Sequence, residues 1–166
     1  MTQITKQAYY MYVHMIGGVL HMFTEENKKK IKDCACRNLR MTTRVTTLYY
    51  DKAFQPIGLK STQFALLADI ASRESSTIGE LSEILLMDQT TVTRSIEVLR
   101  KNGFIEVRAA EDDARKRCIS ITKSGTDKLR EAIPLWQEAQ NKIVQSIGEE
   151  KYNDFLDTLA LIQSFV

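Results

Sequence analysis

Two short amphipathic segments followed at once by a hairpin, all between Thr77 and Thr122, restrict what this chain can fold into more than any other feature of it. Thr77 stands where a hydroxyl can accept from an orphan backbone N–H, and Glu80 three residues on completes a capping box. Ile78, Leu81 and Ile84 then share one face of a short helix. After a break at Leu85-Leu86-Met87, Asp88 is a second N-cap, opening a helix over residues 89–101. On that helix Val92, Ile96 and Leu99 recur at core spacing, while Gln89, Thr90, Thr93, Arg94 and Glu97 point elsewhere. Asn102-Gly103 ends it, because glycine accepts the left-handed conformation of a C-terminal cap.

Phe104 to Arg108 and Cys118 to Thr122 both alternate apolar and polar, as half-buried strands do. Between them lies a charged loop, residues 109–117, with Arg115, Lys116 and Arg117 clustered beside the second strand. Two helices and a basic-tipped hairpin predict a winged helix-turn-helix, whose second helix enters a major groove while the wing reaches phosphates or a neighbouring minor groove. Gln89, Thr90, Thr91, Thr93 and Arg94 occupy the early turns that meet base edges in such docking. Arg94 has the chemistry for guanine O6/N7 and Gln89 for adenine N6/N7. Winged helices also serve as protein-binding modules, and a basic run alone marks no more than a solvated face; the placement of these side chains favours duplex DNA.

The run Asp88-Gln89-Thr90-Thr91-Val92-Thr93-Arg94, then Gly103-Phe104-Ile105, Asp113-Ala114-Arg115 and Ile121-Thr122-Lys123-Ser124-Gly125, resembles the MarR family of bacterial and archaeal transcriptional regulators from about Phe23 onward. Ile121 departs from the leucine more usual in that family. The resemblance implies a homodimeric regulator, with repression the expected mode, that binds pseudo-palindromic double-stranded DNA and is released by a small aromatic acid or by thiol oxidation. It also gives Arg94 a rival task, bracing the wing through Asp113.

Composition is consistent with one domain: 166 residues, 43% of them hydrophobic, can build one substantial core. A formal net charge of +2 makes no general polyanion binder, so basic charge must act locally. No run of about eighteen apolar residues appears, so no membrane span is expected. The fold expected is mostly α with a small β-wing. Residues 1–24 read as an N-terminal extension and 25–166 as one domain, made of a winged-helix lobe at 57–123 and dimerisation helices at 25–56 and 124–166. The tyrosine-rich stretch from Ala8 to Leu20 invites a signal-peptide reading, but it lacks a convincing cleavage site; a terminal addition and an extra packing helix both remain open.

A long helical pattern runs from Glu25 to Phe54, apolar on more than one side, and Gln55-Pro56-Ile57-Gly58 ends it. Ser61 or Thr62 is expected to cap the next helix. Residues 124–147 carry Leu129, Ile133, Trp136, Ile143, Val144 and Ile147, with a kink expected at Pro134, and residues 149–165 carry Tyr152, Phe155, Leu156, Leu159 and Ile162. These terminal helices have no core of their own and bury most economically against a second copy, as the resemblance also implies. Operator half-sites are then expected about one helical turn, roughly 34 Å, apart.

Cys34, Cys36 and Cys118 are an odd count without a secretory signal, which points to reduced thiols and a cytoplasmic protein. Cys34-x-Cys36 has no second pair to complete a zinc site, and no cofactor is expected. With Arg44 and Gln63 as anchors, the reactive cysteine of the family's hydroperoxide-sensing branch falls on Cys36, and one of its hydroxyl partners falls on Tyr50. The second such tyrosine is Ser61 here and a nearby aromatic is Arg40, a cation that can favour the thiolate. Cys36 therefore reads either as an oxidant sensor or as an ordinary helix cysteine. No Ser/His pair, metal-binding His motif or phosphate-cradling glycine loop suggests an enzyme. A thiol redox enzyme using Cys34 and Cys36 is the alternative of a different class, disfavoured because positions i and i+2 of a helix point apart.

Overall fold

The computed structural model describes residues 23–109 and 117–165. Among the described residues, seven α-helices and a two-stranded antiparallel sheet follow one another as α1 (Glu25–Lys32), α2 (Ala35–Phe54), α3 (Ser61–Ala71), α4 (Ile78–Leu85), α5 (Gln89–Lys101), β1 (Ile105–Ala109), β2 (Arg117–Ile121), α6 (Lys123–Ile147) and α7 (Glu149–Gln163). The chain forms two compact units, one up to Thr46 and one from Thr47 onward, with the boundary inside α2. No helix among the described residues is long and apolar enough to cross a membrane. The extension up to residue 22 and the wing tip, including Asp113, Arg115 and Lys116, lie outside the described residues.

In the first unit the expected single helix is two. α1 ends at Asp33, and the side-chain amide of Asn38 reaches back to donate to the carbonyls of Lys32 (2.6 Å) and Cys34 (2.9 Å). Carbonyls that a break would leave bare are thereby satisfied, so it costs little. Cys34 sits in the break and Cys36 in the first turn of α2.

The second unit is built on a core of Leu66, Leu67, Ile70, Leu81, Val92, Ile96, Leu99, Ile105, Ile119 and Leu129. α3, α4, α5, the sheet and the start of α6 all contribute to it. The expected capping box is present: Thr77 Oγ1 accepts from the Glu80 amide, and Glu80 accepts from the Thr77 amide. Leu86 closes α4 in the left-handed conformation, φ 51°, where glycine is usual. The β1–β2 register pairs Ile105 with Ile121 and Val107 with Ile119. Ser76 adds a single-residue bridge to Ile119, donating its amide to the Ile119 carbonyl (3.0 Å) and accepting in return (2.8 Å). Its buried hydroxyl has no partner among the described residues.

One expectation changes at a helix start. Lys60, not Ser61 or Thr62, is the N-cap of α3, its amide donating to Gln63 Oε1 (2.9 Å). Ser61 instead donates both its amide and its hydroxyl to Asp51 Oδ1, each at 2.8 Å, with Lys60 Nζ 3.2 Å from the other carboxylate oxygen. α6 continues unbroken through Pro134. It buries Ala132 against Phe54 and Leu59, buries Ala139 as well, and leaves Ile133, Trp136 and Ile147 exposed.

Thr122 and Gly125 join the wing to α6. The Thr122 hydroxyl accepts from the Gly125 amide (3.0 Å) and donates to the Gly103 carbonyl (2.7 Å). A Cβ on Gly125 would lie 2.0 Å from the Phe104 carbonyl oxygen. Backbone cannot yield as a flexible side chain does, so Gly125→Ala should cost about 3 kcal/mol, read as a lower urea midpoint at unchanged slope; an unchanged midpoint would mean the contact relaxes freely.

The Asp51 latch supplies a pH prediction. The Ser61 amide, with its hydroxyl and Lys60, holds the Asp51 carboxyl below its ordinary value against the opposing effect of burial. A group whose folded-state value is depressed stabilises the fold above the unfolded-state value, and that gain vanishes as pH falls through the folded one. Asp51→Ala should therefore cost about 1–2 kcal/mol at neutral pH and progressively less as the pH drops below about 4. Urea titrations of both proteins across that range check it, and a constant gap would exclude the carboxylate as the source.

Candidate nucleic-acid interface

α5 owes its orientation to what it buries. Val92, Ile96 and Leu99 are sealed in the core, so the opposite side of the helix faces outward. Asp88 starts it, accepting the Thr91 amide on Oδ1 (2.9 Å) and the Thr91 hydroxyl on Oδ2 (2.6 Å). Those bonds hold the Asp88 carboxyl below its ordinary value, the Thr91 hydroxyl first among them. The Leu86 turn brings the chain from α4 to that cap, with the Met87 amide donating to the Ser82 carbonyl at 3.0 Å.

Gln89, Thr90, Thr93 and Arg94 are exposed on the first turns. Arg94 has no hydrogen-bond or ion partner among the described residues, so its guanidinium is free to meet a ligand. Thr93 donates its hydroxyl to the Gln89 carbonyl (2.6 Å). Thr91 is only half-buried, but its hydroxyl is committed to the cap. Farther along, Arg100 clasps Glu97 through three contacts of 2.9–3.2 Å, so its charge is compensated. Positive charge on this face therefore rests on Arg94 and, at the far end, Lys101.

Beside α5 the sheet turns Ile105, Val107, Ile119 and Ile121 toward the core, and places Arg117 exposed where β2 leaves the wing tip. Arg108, which the sequence pattern did not single out, is exposed on β1 and paired with Glu106 at 2.8 Å. Alternation along β1 was the signal that could have found it.

The oxidant-sensing set is distributed differently. Cys36 is exposed and lines a concavity of about 470 Å³ with Cys34, Arg37, Arg40, Met41 and Arg44. Tyr50 donates its hydroxyl to Gln140 Oε1, and Gln140 Nε2 bonds the Tyr152 hydroxyl at 2.5 Å. The Tyr50 hydroxyl is thus engaged by an amide, and burial raises its pKa. Cys118 is half-buried on β2. Among the described residues no group of His, Cys, Asp and Glu gathers to hold a metal.

A two-helix reading unit with a β-hairpin beside it is a winged helix-turn-helix. Residues 59–116 match the model of the MarR family. The chain is 34% identical to the M. tuberculosis transcriptional regulator MosR, solved in complex with DNA, covering 79% of this chain and 97% of that one at a TM-score of 0.69. It is 34% identical over 86 residues to the E. coli transcriptional repressor MprA, spanning 49% of that protein and 51% of this one. To the regulator BilQ of Clostridium symbiosum it is 28% identical over 105 residues, covering 63% of this chain and 73% of that one. The chain belongs to the MarR family of transcriptional regulators.

Proposed function

We propose that this protein is a homodimeric transcriptional regulator, acting as a repressor, that reads pseudo-palindromic duplex DNA with α5 and grips phosphates with the wing. The carrying observation is the outward row of Gln89, Thr90, Thr93 and Arg94 on a helix whose rotation the core fixes. Arg94 offers two donors to guanine and Gln89 a donor and an acceptor to adenine. Thr91 and Asp88 hold the helix start in place, and Arg115, Lys116 and Arg117 supply phosphate contacts at the wing.

Support for a second copy comes from apolar side chains left bare: Met41, Val45 and Leu48 on α2, and Phe155, Leu156 and Leu161 on α7. Residues 25–56 and 124–166 are accordingly the dimerisation segments in this reading. Release comes from an effector with higher affinity for the DNA-incompetent state. A hollow of about 240 Å³ lined by Tyr50, Phe54, Phe64 and Trp136 suits a small aromatic molecule. A second mode of release, oxidation of Cys36, is favoured by its exposure beside three guanidinium groups.

Selection of fragments from a genomic DNA pool by the purified protein tests the reading; no enrichment of a paired motif would sink it. On the selected site Arg94→Ala should cost roughly 1–3 kcal/mol and relax the preference at one position. If Arg94 braces Asp113 instead, Asp113→Ala should lose as much and the double variant no more than either single.

Lys116→Ala separates grip from reading. It should weaken binding to every sequence alike and flatten the salt dependence by about one unit. A loss confined to the selected site, at unchanged slope, would assign Lys116 to base recognition.

A further inference from the structure

At the turn between α4 and α5 the residue type and the backbone conformation are at odds. Leu86 lies at φ 51° and ψ 44°, and among the described residues no other non-glycine residue has a positive φ. Two bonds complete a Schellman turn there: the Leu86 amide donates to the Glu83 carbonyl (3.3 Å) and the Met87 amide to the Ser82 carbonyl (3.0 Å). Glycine fits that position without penalty, whereas the Cβ of a leucine crowds the backbone. The fold offers Leu86 little burial to offset this, since 64% of it stays exposed. Met87 beside it is exposed as well, and so is Ile84, although Ile84 shares a helix face with the buried Leu81. A strained leucine left in water between two other exposed apolar side chains points to a contact outside the chain.

Position decides the partner. The segments assigned above to a second copy, 25–56 and 124–166, do not include this turn, whereas the exposed start of α5 continues directly from it. Leu86 is three residues ahead of Gln89, so their Cα atoms are at most about 11 Å apart. That span covers about three base steps of a duplex whose major groove receives the first turns of α5. In that groove the apolar mark on a base edge is the 5-methyl group of thymine. We infer that Leu86, with Met87 beside it, is a specificity-determining residue that packs on a thymine methyl group at the edge of each half-site. This rests on DNA reading by α5 and adds a preference that the hydrogen-bonding groups of Gln89 and Arg94 do not supply. The strain persists because glycine, which would relieve it, has no side chain to lay on the methyl group.

The test uses the full-length protein and the duplex it selects from genomic DNA. Thymines are replaced one at a time by deoxyuridine, which removes the methyl group and keeps every hydrogen-bonding atom. At one position in each half-site the change should weaken binding about three- to fivefold, the effect of returning one methyl group to water. Leu86→Gly should lose a similar factor on the unaltered duplex and be indifferent to uracil at that position. Its urea midpoint should not fall, because glycine takes the left-handed conformation freely. A leucine kept only for packing would instead give a lower midpoint and an undiminished response to uracil, and so overturn the assignment. Should Leu86→Gly fail to fold, Leu86→Asn serves in its place, since asparagine also tolerates that conformation. A selected motif without thymine, or uracil without effect at every position, would overturn it too, while an Arg94→Ala loss in the same assay would leave reading by α5 standing. Absence of any selected motif would remove both.

Discussion

Burial of Val92, Ile96 and Leu99 against α3, α4 and the sheet is the contact from which the rest of the second unit takes its bearings. Each of these side chains contributes about 1.5–3 kcal/mol by leaving water. A helix with one face so anchored has no rotational freedom left, and one position of slip would carry these side chains out by about 100°. The outward row from Gln89 to Arg94 is therefore a by-product of core packing. Local constraints add to this at the Asp88 cap, in the Thr93 hydroxyl bonded to the Gln89 carbonyl, and in the clasp between Glu97 and Arg100.

The reading helix was legible because its signals are local. Cap, apolar spacing and terminating glycine all lie within one short stretch, and the structure reproduces each of them at Asp88, at Val92-Ile96-Leu99, and at Gly103, whose φ is 73°. The hairpin was legible for the same reason, with its boundaries one residue later at β1 and one earlier at β2. What the pattern missed depends on partners distant in sequence. Ser61 looks like a cap until Asp51 is brought beside it. Ser76 shows no strand signal, because its pairing is with a residue far along the chain. The helix break at Asp33 rests on Asn38, a residue that reads as one more polar position of a helix.

The thiol region was read halfway. Cys36 and Arg40 were visible as a pair one turn apart, but the pattern gave no reason to gather Arg37 and Arg44 with them. Tyr50 was assigned by position alone, and its hydroxyl goes to Gln140, which only tertiary packing supplies.

The joint at Thr122 and Gly125 has a mechanical consequence. α6 has 25 residues and is thus about 37 Å long, and its first turn is fastened to the root of the wing through the Gly103 and Phe104 carbonyls. A rod held at one end converts angle into distance: two degrees of tilt about the joint displaces the far end by about 1.3 Å. Read in reverse, a displacement of that size at the Ile147 end needs almost no deformation of the hairpin it is fastened to. Leverage of this kind lets packing at the Ile147 end shift while the wing root stays nearly still, with the close glycine contact as the pivot.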